Sequence, residues 1–372
     1  MKKFSKEDRE VKLFVGPQHP GVTGNMSFEI TLEGDILTSV KTHVGYLHRA
    51  FEKLMERRLF IQNFPLVCRI CVPESDTNEE NYARALEELA GIEVPERAKW
   101  IRTLVLELSR LQMFMRWIGG IAGAMGLGTA PQWSVGDRDY ILDLFEELTG
   151  GRIYHIYILP GGVRRDLPEG FEERVLKVMD YLEKKLPDYD ALIFENAVFK
   201  KRLKGIAKID PSWVEEIGVT GPVARACGFP FDVRKEQPYE AYDKLDFEII
   251  TETDCDLYAM AMVRRREIEL SINLIRQIID KMPKGDVWTH LPNVLYWKIP
   301  AGETYVKTEA SRGEFGYYVV TDGSDKPRRV HVRGVSTPHA YTLLERLVPG
   351  MNISDFSVAI VGLQTCPPEI ER

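Results

Sequence analysis

The stretch Pro95–Ile118, PERAKWIRTLVLELSRLQMFMRWI, decides the fold class of this chain. Pro95 and Glu96 suit the first turn of a helix. Apolar residues then recur at intervals of three and four, which predicts one long helix. These residues are Ile101, Leu104, Val105, Leu108, Leu111, Met115 and Ile118. The helix runs into a region of small residues, Gly119–Gly128, where another backbone can approach closely. The stretch therefore predicts a helical core.

Periodicity elsewhere predicts more helices and two β-rich regions. The predicted helices are 137–149, 169–186, Asp254–Met282 and a short one near 338–347. The predicted β regions are 11–45 and 304–335. In the second of these, Asp322-Gly323 separates two runs rich in valine, which is typical of a hairpin.

Together these elements predict an α+β fold with a long-helix core and small peripheral β-sheets. No repeat, low-complexity segment or linker divides the sequence, so a single domain over 1–372 is expected. Its parts are a β-rich N-terminal lobe (11–45), a helical core (46–303), a β element (304–335) and a C-terminal segment (336–372).

Composition and charge exclude several classes of function. The chain has 372 residues and a net charge of -7, so it lacks the basic excess that nucleic-acid binding needs. No apolar run reaches the roughly 18–20 residues of a membrane-spanning helix. The charged segment Met1–Glu10 lacks the apolar stretch of a signal peptide. The chain is therefore expected to be cytosolic, or peripheral on the cytosolic face of a larger assembly.

Cys68 and Cys71 form a CxxC pair within Val67–Glu74, VCRICVPE. Such pairs occur in metal sites and redox dithiols, and also as two small buried side chains. A four-ligand zinc site would need a second pair, and the other cysteines are isolated in the sequence. Arg69 lies between the two. It favours the reactive thiolate if its guanidinium stays near them; the alternative is that it points into solvent.

The remaining patterns bear on the C-terminal segment and on cofactors. The apolar run Phe356–Leu363 precedes Cys366 and is expected to carry this segment inward. The histidines show no metal-ligand spacing such as HExxH. There is no P-loop, and Gly119–Gly123 follows a predicted helix rather than a strand, so it is not a dinucleotide-binding motif.

Five sequence blocks, taken in order and spacing, resemble one superfamily. It contains the large subunit of [NiFe]-hydrogenases and the quinone-pocket subunit of respiratory complex I. The blocks are GPQHPG (16–21), VGYLHRAFEKLMERR (44–58), LPGGVRRDLPEG (159–170), VTGPVARACGFPFDVRKEQPYEAYDKLDFEI (219–249) and EASRGEFGYYVVTDG (309–323). The resemblance implies a fold like that of the hydrogenase large subunit, with the C-terminal segment reaching the pocket.

The hydrogenases of this superfamily hold nickel and iron with four cysteines, two in each of two CxxC pairs. Cys68 and Cys71 match the first pair, and Cys366 matches the first cysteine of the second. Glu369 stands where the fourth cysteine belongs, so a soft bridging thiolate is replaced by a hard carboxylate. The resemblance therefore implies that this chain holds no metal and that its three cysteines are remnants of a nickel–iron site.

This chain differs from the complex I protein at two quinone contacts. Thr23 stands where that protein has a histidine, and Val72 stands near its quinone-contacting tyrosine. The closer resemblance is to the large catalytic subunit of the archaeal membrane-bound sulfane sulfur reductase. It implies that the chain reduces sulfane sulfur, such as polysulfide, with electrons from ferredoxin.

This resemblance also implies the surroundings of the chain. A small iron–sulfur subunit is expected to bring its proximal [4Fe–4S] cluster beside Arg69, while the chain itself binds no cofactor. Other hydrophilic and membrane subunits are expected to hold the chain at the cytoplasmic face of the cell membrane. No nucleic acid is expected among its partners.

In the expected mechanism a thiolate of Cys68 or Cys71 attacks a sulfur–sulfur bond, giving a persulfide or a Cys68–Cys71 disulfide. Arg69 and Arg312 are expected to lower the thiol pKa and to stabilise the anionic substrate.

Protons are expected from Glu52 or His48, unless these two residues form only a surface salt-bridge pair. Cys366 is either a third pocket thiol or an inactive remnant, and the sequence favours the remnant.

The alternative functions for the chain are a [NiFe] hydrogenase subunit with altered ligands, a complex I-like subunit acting on quinone or NAD(P)H, and an inactive scaffold.

Overall fold

The structure, a computed structural model, describes residues 10–19, 22 and 24–372. Most of this part is helical, and small separate sheets lie between the helices. The strands are β1 (Glu10–Val15), β2 (Ser27–Glu33), β3 (Ile36–His43), β4 (Ile158–Leu159), β5 (Gly162–Val163), β6 (Gly302–Ala310), β7 (Gly313–Thr321) and β8 (Arg329–Arg333). The helices are α1 (Phe51–Met55), α2 (Phe64–Val67), α3 (Ser75–Ala90), α4 (Glu96–Ala124), α5 (Thr129–Thr149), α6 (Phe171–Tyr189), α7 (Ala197–Leu203), α8 (Pro211–Ile217), α9 (Gly221–Arg225), α10 (Val233–Glu236), α11 (Leu257–Lys281), α12 (Ser336–Pro338), α13 (Leu344–Leu347), α14 (Ile353–Leu363) and α15 (Pro367–Glu371).

The centre of the protein is α4, which packs against α5, α11 and α14. Its apolar residues are buried along nearly the whole length of the helix. Each fully buried leucine or isoleucine contributes about 1.5–3 kcal/mol relative to an exposed one. The predicted long helices after Pro95 and within Asp254–Met282 are confirmed as α4 and α11.

The small-residue end of α4 allows the close approach that the sequence predicts. A Cβ atom added to Gly119 would overlap the Ser134 hydroxyl and lie 3.1 Å from the Pro131 Cα of α5. The helix predicted at 137–149 begins earlier, at Thr129. Its first turns carry the exposed Trp133 and Val135, which obscure the apolar periodicity there.

Both predicted β regions form antiparallel sheets. The N-terminal sheet has the order β1–β2–β3, and the second has the order β6–β7–β8. The predicted hairpin is β7–β8, in which Tyr317 faces Val332. The sequence did not define β6 separately, and its turn into β7 is Ser311-Arg312. This tight turn carries Arg312 to the centre of the protein, where its side chain is only 2% exposed.

A buried ionic network fixes the hairpin that carries Arg312. Glu309 at the end of β6 accepts a hydrogen bond from Arg225 of α9 at 2.7 Å. Arg225 also pairs with Glu267 of α11 at 2.8 Å. Removing one partner of such a buried ion pair lowers the free energy of unfolding by about 3–5 kcal/mol, because the other charge is left without compensation. The network therefore holds the turn in one position.

The C-terminal segment turns inward, as predicted. Gln364 ends α14 in the left-handed conformation, with φ of 54°. Pro367 and Pro368 occupy the first turn of α15, where proline is well tolerated. The predicted short helix near 338–347 begins at Ser336 and runs through α12 and α13. Among the described residues, no helix has both the length and the apolar character needed to cross a membrane.

Candidate active site

Two cysteines that are far apart in the sequence meet in the interior. The sulfur of Cys71 lies 3.7 Å from the sulfur of Cys366, and both residues are buried. Cys71 is extended at the start of a helical turn, and Cys366 is extended just before α15. The Cys366 amide donates a hydrogen bond to the Ser336 hydroxyl at 3.0 Å, which fixes its backbone. This distance is a van der Waals contact, so one sulfur can attack the other once either of them carries a sulfur–sulfur bond.

Arg312 lies beside this thiol pair with two buried carboxylates. Its Nη2 donates to the Cys71 sulfur and to Glu74, and it lies 2.9 Å from the Glu369 Oε2 atom. Glu74 also accepts a hydrogen bond from the Ser311 amide at 2.6 Å. One cation therefore compensates two carboxylates in the interior of the protein.

The two thiols differ in acidity. The hydrogen bond with Cys71 lowers the pKa of Cys366 to about 7, although burial acts against it, and Arg312 adds to the lowering. Burial raises the pKa of Cys71 well above its usual value. Cys366 is therefore the thiol of the pair that ionises first, and Cys71 stays protonated.

The carboxylates beside the pair also differ. Burial raises the pKa of Glu369. Burial opposes the ionisation of Glu74 too, but Arg312 and Ser311 outweigh it, so the pKa of Glu74 is lowered. Burial likewise lowers the pKa of Arg312, yet its anionic neighbours raise it overall, so the guanidinium stays charged.

A cavity of about 330 Å³ opens onto this cluster. Cys366 and Arg312 contribute to its wall, whereas Cys71 contacts both of them but does not line the cavity. Among the described residues, no acidic side chain, tyrosine or histidine lines it. Much of the rest of the wall is apolar. These apolar residues include Val72, Pro73, Met113, Trp117, Val361 and Pro367.

Cys68 belongs to a different set of contacts. Its sulfur lies 3.4 Å from the Pro65 carbonyl oxygen and 3.2 Å from Nη1 of Arg69. Burial raises the pKa of Cys68 to about 12, and Arg69 offsets only part of this increase. Arg69 is half-buried and stacks over the Tyr154 ring at 4.5 Å. The predicted proximity of Arg69 to a cysteine is therefore seen for Cys68, but the resulting site is apart from the cavity.

Glu52 and His48 hold the C-terminal helix and do not line the cavity. Glu52 accepts hydrogen bonds from the Val332 amide at 3.0 Å and from Arg372 at 2.7 Å. Burial acts to raise the pKa of Glu52, but these contacts outweigh it and the pKa is lowered. His48 is exposed, and its Nδ1 lies 2.6 Å from the Glu371 carbonyl oxygen. Their role in proton delivery stays a prediction.

Some features of the site were missed from the sequence. Glu74 lies three residues after Cys71 in the same quoted stretch, but nothing in the pattern marks it as the partner of Arg312. Gly334 leaves room for Glu369, because a Cβ atom there would overlap its carboxylate. Thr23, the predicted replacement for a quinone contact, lies outside the described residues; the neighbouring Gly24 lines the cavity.

The donor set does not fit a nickel–iron centre of the four-thiolate type. Cys71, Cys366 and Glu369 place one ligand atom each within 4.8 Å of one another. Cys68 is not part of this group among the described residues. The Arg312 guanidinium contacts both Cys71 and Glu369, so a positive charge already lies where a metal cation would bind. Hence a bound cation would face repulsion as well as an incomplete set of thiolates.

The position of Arg312 depends on a glycine. Gly221 has φ of +70°, and a Cβ atom there would overlap the Arg312 carbonyl group. We expect Gly221→Ala to lower the free energy of unfolding by about 3 kcal/mol or more, because backbone strain and a steric clash add together. Gly205→Ala is the matched control, since Gly205 has φ of +72° but no atom within 4 Å of the added Cβ. Denaturant unfolding of both variants tests this; equal losses would show that the contact with Arg312 is unimportant.

Comparisons with known proteins identify the family of this chain. Residues 124–298 and 294–372 match the family described as the respiratory-chain NADH dehydrogenase 49 kDa subunit. A subunit of the NADH-quinone oxidoreductase of Thermosipho melanesiensis is 49% identical over 98% of this chain and 100% of its own length. A subunit of the F420H2 dehydrogenase of Methanosarcina mazei is 37% identical, with 98% of this chain and 99% of that protein covered.

A solved structure also matches the whole fold. It belongs to the membrane-bound sulfane sulfur reductase, described as an archaeal respiratory membrane complex. The match has a TM-score of 0.96 and 43% sequence identity, and it covers 99% of this chain and 100% of the other. The predicted superfamily and its α+β fold are thereby confirmed. The chain belongs to the family of the respiratory-chain NADH dehydrogenase 49 kDa subunit and is an oxidoreductase subunit of a membrane-bound respiratory complex.

Proposed function

We propose that this chain is the catalytic subunit of a complex that reduces sulfane sulfur, with polysulfide as substrate and ferredoxin as electron donor. The observation that carries the proposal is the thiol pair Cys71–Cys366, next to Arg312, at an apolar cavity. A cavity of this kind suits a soft, polarisable anion. The similarity to a sulfane sulfur reductase over nearly the whole chain supports the same activity.

Cys366 makes the first attack. Its sulfur lines the cavity, and its pKa of about 7 provides thiolate at neutral pH. The thiolate forms a bond to the terminal sulfur of a polysulfide dianion, and the adjacent sulfur–sulfur bond breaks. The products are a Cys366 persulfide anion and a polysulfide dianion shorter by one sulfur atom. Arg312 stabilises the negative charge throughout.

Cys71 completes the reaction. Its thiol attacks the Cys366 sulfur of the persulfide across the observed 3.7 Å contact. A Cys71–Cys366 disulfide forms, and hydrosulfide leaves with the thiol proton. The disulfide then takes up two electrons and one proton, which restores the Cys366 thiolate and the Cys71 thiol. We propose that a small partner subunit would hold a [4Fe–4S] cluster as the source of these electrons, with ferredoxin as the donor to the complex.

In this scheme the nucleophile is Cys366, with Cys71 as its resolving partner. The sequence favoured an inactive remnant at position 366 and predicted that Cys68 or Cys71 forms a persulfide or that the two form a disulfide. The geometry supports the other assignment, because Cys71 has its sulfur contact with Cys366 and because Cys68 has a strongly raised pKa. Arg69 is instead proposed to face the iron–sulfur subunit, with the exposed Tyr154 in the same surface, while Cys68 lies buried behind Arg69.

We further propose that the reaction proceeds without nickel, because Arg312 places a cation among the three donor residues. The chain would lie at the cytoplasmic face of the membrane, attached through its partner subunits.

Quinone reduction is the second candidate function. It is favoured by the names of the relatives, among them the NADH-quinone oxidoreductase protein that is 49% identical. Against it stands the cavity wall, where Val72 contributes no hydrogen bond and no tyrosine or histidine is found among the described residues. Saturable quinone reduction that is lost on changes to cavity residues would favour this alternative.

The pH dependence of turnover tests the proposed nucleophile. With dimethyl trisulfide, a substrate that does not titrate, kcat/KM should rise about tenfold per pH unit below pH 7 and level off above it. The sign follows from the lowered pKa of Cys366, whose reactive form is the deprotonated one. Steady-state rates of the intact complex between pH 5 and pH 9 give this profile. A rate that falls with rising pH across this range would exclude Cys366 as the nucleophile.

A further inference from the structure

The cavity carries two positive charges at different depths. Arg312 lies at its inner wall and is compensated by Glu74 and Glu369. Arg116 also lines the cavity but is exposed, and among the described residues it forms no ion pair with a carboxylate. Among the described residues no acidic side chain lines the cavity, so the guanidinium groups of Arg312 and Arg116 are the charged groups that its wall offers to a ligand.

A second arginine raises the positive potential near Arg116. Arg138 of α5 donates from Nε to Gln112 at 2.7 Å, which holds it in place. Burial, and then the charge of Arg116, lower the pKa of Arg138 to about 10. Two arginines that repel each other are stabilised when an anion binds between them or beside them.

The inner end of the cavity has hydrogen-bond donors without partners. Arg264 donates to the Gln364 side-chain oxygen at 3.1 Å, so the amide nitrogen of Gln364 must point elsewhere. Gln364 Nε2 and Thr365 Oγ1 are buried without a hydrogen-bond partner among the described residues. Both residues line the cavity beside Cys366. Leaving such buried groups unpaired costs about 1–3 kcal/mol each, which a bound acceptor recovers.

We infer that the cavity selects a linear substrate with a negative charge at each end. One end lies at Arg312, Gln364 and Thr365, within reach of Cys366, and the other end pairs with Arg116. This inference deepens the proposed function, on which it rests. It names a polysulfide dianion as the preferred substrate, in contrast to neutral sulfane sulfur such as a sulfur ring or a dialkyl trisulfide, which gains only the apolar contacts.

Arg116→Gln in the intact complex tests the inference with two substrates. For tetrasulfide we expect KM to rise about tenfold with kcat nearly unchanged, because one charge-assisted contact to the substrate is lost. For dimethyl trisulfide kcat/KM should stay the same. Arg116→Lys should retain most of the affinity for tetrasulfide. Arg58→Gln, at an exposed arginine outside the cavity, is the matched control. Equal effects on both substrates, or no effect on tetrasulfide, would overturn the inference.

A binding measurement separates this inference from the proposed activity. Glutarate, a linear dianion, should slow the alkylation of Cys366 by iodoacetamide, as followed by mass spectrometry, and butyrate should slow it far less. Arg116→Gln should weaken the protection by glutarate about tenfold. If the wild-type complex reduces neither substrate but shows this protection, the proposed function fails and the selection of two charges stands. If glutarate and butyrate protect equally, the inference fails whatever the turnover.

Discussion

Replacing Cys366 with serine is expected to lower sulfide release from polysulfide at least about a thousandfold, because a hydroxyl of ordinary pKa replaces the thiolate that makes the first attack. Serine is nearly isosteric, and the backbone hydrogen bond from position 366 to Ser336 is retained. The complex should therefore assemble normally. Steady-state sulfide release by the purified variant complex measures the effect.

Two further variants sharpen this result. Cys71→Ser should stop turnover one step later and leave Cys366 one sulfur atom heavier, which intact-protein mass spectrometry detects after exposure to polysulfide. Cys227→Ser is the matched control, because Cys227 has the same 8% exposure as Cys366 but does not line the cavity. Unchanged turnover in Cys366→Ser would assign the thiol pair a purely structural role and would refute the mechanism.

Arg312→Gln is expected to have the second large effect, on both stability and activity. It leaves Glu74 and Glu369 buried without a cation, which costs about 3–5 kcal/mol of the free energy of unfolding. It also removes a charge that lowers the pKa of Cys366, so less thiolate is present at pH 7. Denaturant unfolding together with turnover measures the two losses.

The pH dependence of Arg312→Gln has a defined sign. Burial already raises the pKa of Glu369, and without the guanidinium it rises further. A carboxyl whose folded pKa is raised stabilises the fold when protonated, so the free energy of unfolding should fall as pH rises through the carboxyl range. Adding Glu369→Gln should restore part of the stability but not the turnover. If Arg312→Gln alone were as stable as the wild type at pH 7, the ion pairs of Arg312 with Glu74 and Glu369 would be contradicted.

The sequence was sufficient to predict those helices and turns that are determined by residues close together in the chain. Pro95 and the three-and-four spacing after it predict α4, because both signals reside within one helix. Asp322-Gly323 predicts the β7–β8 hairpin in the same way. The strand β6 was not defined separately, since its partner strand rather than its own pattern fixes its register.

The site was harder to predict because its contacts are between distant parts of the chain. The CxxC spacing favours a shared site for Cys68 and Cys71, yet the chain turns between them and their sulfurs meet different partners. Cys71 and Cys366 are 295 residues apart, and their contact depends on the packing of the C-terminal segment against the core. Family resemblance identified Arg312 and Glu369, but not the placement of Arg116 at the cavity, which depends on its position along α4.

The most direct test of the account is sulfide release by the purified complex, with reduced ferredoxin as donor and polysulfide as acceptor, on preparations assayed for nickel. The account predicts steady release of hydrosulfide with far less than one nickel per chain. About one nickel per chain, or quinone reduction without any sulfide release, would contradict it.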